Sequence, residues 1–215
     1  QAILSSNLEL DLEAIWANEI GKHRCPISPL LTVVSQICLS DIWKQWGYKP
    51  DVVIGHSIGE LTAAFQAGFY SLEDILMLTY QIGQAAASLN GLMLHGSVSS
   101  HEIDRIPVNR SSMNFIDGEK KHVTLSGYSE EMEVFRAENP GFTKMRIPHP
   151  WHHPDYAAHI EKIKFSEPNI GNGTKFVSGV TADFESRLEP DHWRKWLVKP
   201  VDFISSMQSI EKEFK

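Results

Sequence analysis

At 215 residues, 42% hydrophobic and 22% charged, the chain is long enough to bury a core as one domain, or as one domain with an inserted lobe. Lys and Arg number 20 against 27 Asp and Glu, and the resulting charge of −7 excludes a global basic field for holding nucleic acid. Two cysteines outside any C-x-x-C pair suit reduced thiols better than a disulfide framework. No apolar run approaches the ~18 to 20 residues of a membrane span, and no basic-then-apolar leader opens the sequence, so a cytoplasmic protein with no membrane partner is expected.

In chain order, apolar residues at three- and four-residue spacing predict helices over 8–20, 30–46, 58–67 and 72–88. The stripe Leu31, Val34, Ile37, Cys38, Ile42 and Trp46 reads as the core-facing side of the second helix, packed against the strand that follows. That strand is Val52-Val53-Ile54, entered through the turn Pro50-Asp51. From Leu92 the pattern changes to short alternating runs. Strands are expected over 92–98, 112–116, 122–126 and 142–147, with a helix over 130–137, which together read as a separate small α+β lobe. Neither an internal repeat nor a low-complexity tract interrupts the chain.

Chemistry concentrates at Gly55-His56-Ser57-Ile58-Gly59. The order of apolar strand, G-x-S-x-G and Ala- and Leu-rich helix is how many acyl-transfer enzymes present a nucleophile at a sharp turn. The glycines allow the tight turn and the close packing of the helix behind it. Ser57 then projects its hydroxyl, and the amide of Ile58 faces the same space as an oxyanion donor. An ordinary glycine-rich turn is the competing reading of the string by itself.

Pro50 to Glu60, with Ala63-Ala64, Ala67-Gly68 and Ser71-Leu72-Glu73-Asp74, closely resembles the acyltransferase domains of polyketide and fatty-acid synthases, of the malonyl-CoA:acyl carrier protein transacylase type. Ile27-Ser28-Pro29, Gly91 to Leu94, Phe115 to Gly118, Val123 to Gly127 and the stretch Pro190 to Phe203 follow in the family's order, so the resemblance covers residues 27 to 204. It implies an α/β fold: an α/β-hydrolase-like large subdomain over 1–90 and 149–215, with an inserted ferredoxin-like small subdomain over 91–148 and the active site between them. It further implies an acyl-CoA donor, a Ser57 acyl-enzyme and the phosphopantetheine thiol of an acyl carrier protein as acceptor. A neighbouring ketosynthase domain is a further candidate partner, and neither a metal nor an organic cofactor is expected.

A serine hydroxyl needs a base within hydrogen-bond reach. His149-Pro150-Trp151-His152-His153-Pro154 lies where the resembled family carries its signature histidine, followed there by Ser-Pro. Aligning Pro154 with that proline makes His152 the base and puts His153 in the serine's place. His149, His153 and His159 are then packing or exposed histidines, and His56 is an architectural part of the elbow or a wall of the substrate site. The family usually orients its histidine through a main-chain oxygen, so no third acid is required.

Departures from the family pattern bear on the substrate. Malonyl-accepting members carry an arginine that clamps the free carboxylate as a bidentate ion pair, and this chain has Ile82 at that position. A carboxylate buried against isoleucine without a partner would cost several kcal/mol, roughly the desolvation penalty of a buried charge. Gln81 is a neutral donor nearby but sits ~100° around the helix from Ile82. Trp151, where relatives carry Phe or Ser, either shapes the pocket or packs beneath the histidine turn. Ser178-Gly179-Val180-Thr181 replaces the usual Ser-Asn-Val-Thr, and neither the family's opening Gly-Gln-Gly-Ser-Gln nor its closing Glu-Ile-Gly-Pro is found.

Three other readings compete with acyl transfer. An esterase or thioesterase would use the same Ser-His pair and needs an acid between them, for which Asp104 and Asp117 are candidates. A metal hydrolase would use His149, His152, His153, Asp155 and His159, a set without the His-Glu-x-x-His helix logic. A degenerate, non-catalytic docking domain is the last.

Overall fold

A computed structural model describes residues 15, 17, 24–161, 163 and 165–215. The helix expected over 8–20 therefore falls outside the described residues except for Ile15 and Ala17. Among the described residues, no helix is long and apolar enough to cross a membrane.

The first half of the chain alternates helix and strand. Helix α1 spans Ile27–Gln45, strand β1 Val52–Ile54, helix α2 Gly59–Gln66 and helix α3 Leu72–Ala86. The start of α3 is set locally: the Ser71 hydroxyl accepts the Asp74 N–H at 3.1 Å, and Glu73 and Asp74 place negative charge at the positive end of the helix. Its buried face, Ile75, Leu78, Ile82 and Ala86, joins Leu30, Val33, Leu61, Phe176, Trp193 and Trp196 in the larger of two hydrophobic clusters.

The stripe on α1 is corrected by the structure. Leu31 and Ile37 are buried, but Ile42 and Trp46 are exposed, Trp46 to 66%. Helix α1 packs on α3 and α2 rather than on β1, so only the half that faces them is covered.

The middle of the chain forms a second packed unit. Strands β2 (Leu92–Ser99), β3 (Arg110–Asp117) and β4 (Lys120–Gly127) are antiparallel neighbours, followed by helix α4 (Ser129–Glu138) and the short strand β5 (Thr143–Lys144). Alternation along β2 and β4 sends Leu92, Leu94, Val123 and Leu125 to one face, where Met132 and Phe135 of α4 and Phe142 complete the smaller cluster. The opposite face carries His95, His122 and Thr124. The strand expected over 142–147 is reduced to two residues because Phe142 turns into this cluster, and beyond Met145, whose N–H donates to the Met93 carbonyl at 2.9 Å, the chain leaves the sheet.

The remaining elements are helix α5 (Ala157–Ile160), strands β6 (Lys175–Val177) and β7 (Phe184–Glu185), helix α6 (His192–Val198), strand β8 (Val201–Asp202) and helix α7 (Phe203–Glu213). Strand β6 pairs in parallel with β1 and antiparallel with β7, giving a sheet of order β1-β6-β7. Strand β8 instead crosses to the other unit and pairs in parallel with β3, so the second sheet runs β5-β2-β4-β3-β8. The result is a mixed α/β fold with two cores.

Candidate active site

The chain leaves β1 at Ile54 and enters α2 at Gly59 through four residues that reverse its direction. Ser57 sits in the left-handed region at φ 52°, a conformation that costs a non-glycine residue of order 1 kcal/mol and is characteristic of residues held for function. The N–H groups of Gly59, Glu60 and Leu61 are taken up inside the turn by the carbonyls of His56, Ser57 and Ile58, at 3.0, 2.8 and 3.2 Å. Gly55 is required by close approach: a Cβ there would lie 2.1 Å from the Gly59 carbonyl carbon. Ser57 is thus half-buried at the N-terminus of an eight-residue helix, where the helix dipole favours negative charge.

His152 meets it from a distant part of the sequence. Its Nε2 lies 2.8 Å from Ser57 Oγ, and its Nδ1 lies 2.8 Å from the Trp196 carbonyl oxygen. A carbonyl can only accept, so Nδ1 carries the proton in the neutral ring and Nε2 is left free to accept from the serine hydroxyl. The ring is 1% exposed and packs edge-on against Trp196 at 4.6 Å. Burial pushes its pKa down from 6.5 to about 4, opposed by the Trp196 carbonyl and reinforced by His56. His152 is therefore neutral around pH 7, the protonation state a base requires. Its own backbone is left-handed at φ 57°, and Asn109 secures it: the Asn109 amide donates to the His152 carbonyl at 3.0 Å and to Ser126 Oγ at 2.9 Å.

The neighbouring histidines have other partners. His149 Nδ1 donates to the Leu89 carbonyl at 3.0 Å, and His153 Nδ1 accepts the Asp155 N–H at 3.3 Å, capping the short turn at Pro154–Tyr156. His159 is exposed on α5. Among the described residues, no three His, Cys, Asp or Glu side chains converge in a metal-binding arrangement. His152 is oriented by a main-chain carbonyl and not by either candidate acid: Asp104 faces Arg110 at 3.6 Å, and Asp117 lies opposite Lys120 at the end of a hairpin.

The remaining candidates are spread around this pair. His56 Nε2 donates to Asn114 Oδ1 at 2.8 Å, which ties the elbow to β3, and burial lowers its pKa against the opposing effect of Asn114. Trp151 is buried edge-on to Trp196 at 5.9 Å, and Ile82 is wholly buried in the larger core. Gln81 Oε1 and Trp196 Nε1 are buried polar atoms with no hydrogen-bond partner among the described residues.

Sequence reasoning missed Asn109 and a buried cluster around Glu60, and expected a main-chain oxygen on His152 without locating it at Trp196. The Glu60 carboxyl group, wholly buried, accepts from Ser178 Oγ at 3.0 Å, the Gly179 N–H at 3.1 Å and His192 Nε2 at 3.0 Å. The one local signal was Gly179 in place of asparagine.

A strained serine at a strand-to-helix turn, hydrogen-bonded to a buried neutral imidazole, is a geometry that can activate a hydroxyl group. The family described as the acyl transferase domain matches residues 26–213, and the chain belongs to that family. It is 31% identical over 204 residues to the highly reducing polyketide synthase phiA of a fungal species, an alignment covering 86% of this chain and 8% of that protein. Among solved structures, the malonyl CoA-acyl carrier protein transacylase of Burkholderia pseudomallei superposes with a TM-score of 0.80 at 16% identity, over 99% of this chain and 79% of that one. The acyltransferase domain from the second module of the salinomycin polyketide synthase gives 0.77 at 22% identity, over 98% and 52%. These likenesses establish the fold. The chain spans only a small part of the length of its polyketide synthase relatives.

Proposed function

We propose that this chain transfers an acyl group from acyl-CoA, through an ester on Ser57, to the phosphopantetheine thiol of an acyl carrier protein. The observation that carries the reading is the 2.8 Å contact between Ser57 Oγ and His152 Nε2, with Nδ1 seated on a carbonyl so that Nε2 is the basic nitrogen. Ser57 Oγ attacks the thioester carbon as its proton passes to Nε2. The negative charge collecting on the carbonyl oxygen is held by the Ile58 N–H at the start of α2. Collapse breaks the C–S bond, the thiolate takes the proton from His152, and free CoA leaves. In the second half the carrier thiol gives its proton to Nε2 and attacks the ester, and Ser57 Oγ recovers that proton.

The reading needs no resident metal or organic cofactor, since CoA and phosphopantetheine enter as carriers of the acyl group. The parts holding Ser57 and His152 are read as an α/β-hydrolase-like subdomain and the β2 to β5 unit as its ferredoxin-like insert. His56, Gln81, Ile82 and Trp151 are assigned to the surroundings of the acyl group. Membership of the acyl transferase family and relatives named as polyketide synthases support the carrier protein as partner. Intact-mass spectrometry after exposure to a panel of acyl-CoAs tests the reading: the parent gains one acyl mass and Ser57→Ala gains none. An adduct retained by Ser57→Ala overturns it.

A further inference from the structure

Ser57 and His152 are linked by more than their mutual contact. Starting at the nucleophile, the Glu60 N–H donates to the Ser57 carbonyl at 2.8 Å, so Glu60 is held to the elbow through its backbone. Its side chain reaches the other way and accepts from His192 Nε2 at 3.0 Å. His192 is the first residue of α6, and Trp196 stands one turn further along that helix. The Trp196 carbonyl accepts from His152 Nδ1 at 2.8 Å, and His152 Nε2 returns to Ser57 Oγ at 2.8 Å. These contacts form a closed ring. In a closed ring of short bonds joined by rigid helical turns, the last distance is set by the others.

We propose that Glu60 and His192 are positioning residues: their hydrogen bond clamps α6 to α2 and thereby sets the Ser57–His152 separation. The inference rests on the function proposed above. The clamp is dry, with Glu60 and Ser178 wholly buried and His192 nearly so, so no solvent molecule takes over a lost bond. The Gly179 N–H on Oε2 and Ser178 Oγ on Oε1 hold the carboxyl group in its orientation, with Oε1 also accepting from His192. Gly179 admits this approach: a Cβ there would lie 2.9 Å from Glu60 Oε2 and 3.0 Å from Val201 Cγ1. The glycine that departs from the family pattern thus stands against the clamp.

The test uses the full chain and a fluorophosphonate, which reports the reactivity of Ser57 whatever acyl group the protein prefers, together with acetyl-CoA. His192→Leu fills the volume without a donor, and His192→Gln keeps an N–H able to reach the same oxygen. For His192→Leu the maximal labelling rate is expected to fall ~10²-fold, the scale of a misplacement near 1 Å, with the half-saturating concentration unchanged within about threefold. His192→Gln is expected to recover at least ~10-fold of that loss, and circular dichroism and a thermal melt confirm that both are folded. If His192→Leu does not fold, His192→Asn, whose shorter side chain withdraws the donor, is compared with His192→Gln instead. A donor-free variant labelled at the parental rate, or a glutamine variant no faster than it, overturns the clamp. A parent not labelled at Ser57 refutes the proposed function itself.

Discussion

Acidification, read against one substitution, isolates the contribution of His152. In the unfolded chain its imidazole titrates near 6.5, and in the folded protein burial holds it at about 4. Between these values the unfolded state binds a proton that the native state does not, so stability rises with pH across this window. The contribution is complete above pH 6.5, is lost progressively as the pH falls to about 4, and changes no further below that. The full difference corresponds to about 3 kcal/mol, of which about 2.5 kcal/mol is lost between pH ~7.5 and pH ~4.5. Urea unfolding of the parent and of His152→Gln at those two pH values measures it, because subtracting the variant removes carboxylates and His56, which titrate in both. The kinetic counterpart is a Ser57 labelling rate that stays level from about pH 8 to pH 5 and is halved near pH 4, since the neutral ring is the reactive form. Equal pH slopes of stability in parent and variant, or a labelling midpoint near 6.5, would refute the buried neutral base.

Asn109→Ala removes the donor to the left-handed His152 carbonyl, and the labelling rate is expected to fall about 10-fold with stability lowered by ~1 kcal/mol; parental kinetics would dismiss its role. Gly55→Ala forces a Cβ to 2.1 Å from backbone, so a loss of ~2 to 3 kcal/mol in chemical unfolding is expected together with loss of labelling, and a stable, reactive variant would contradict the elbow geometry. With isoleucine at position 82, where the resembled malonyl-accepting members carry arginine, acetyl-CoA and longer uncarboxylated acyl-CoAs are expected to load Ser57 ~10²-fold better than malonyl-CoA, and equal malonyl loading would end that idea.

What could be read from the residues was what depends on neighbours in the chain. Helices α1 to α4 begin and end within a few residues of their predicted limits, because apolar periodicity and caps such as Ser71 act over one or two turns. Periodicity names a helix face but not how far its partner extends, which is why Ile42 and Trp46 were read as core and are exposed. The Gly-x-Ser-x-Gly elbow is likewise local. The acceptor for His152 is a main-chain oxygen that any residue at position 196 would supply, and it lies 44 residues away, so no side-chain pattern announces it. Glu60 and His192 are separated by 132 residues, and neither segment by itself shows that the two side chains meet. Asn109 acts on a backbone carbonyl that needs it only because His152 is left-handed.

The low pKa of His152 bears on how its proton moves in the two halves of the reaction. A carboxylate on Nδ1 would raise the pKa of the imidazole through a full charge, whereas the Trp196 carbonyl offers only a dipole and burial prevails. A conjugate acid near 4 returns its proton readily to a departing thiolate, whose own pKa is ~8.5, so release of CoA needs no stronger acid. In the second half the same ring must take a proton from the attacking group. For a thiol the gap is between ~8.5 and about 4; for water, at ~15.7, it is wider by roughly seven pKa units. The Ser57 hydroxyl in the first half presents a gap like that of water, so the thiol proton is the easier of the two that this ring takes. Under the proposed function, a buried ring seated on a main-chain carbonyl gives its proton back easily, which suits release of CoA in the first half and return of the proton to Ser57 Oγ in the second.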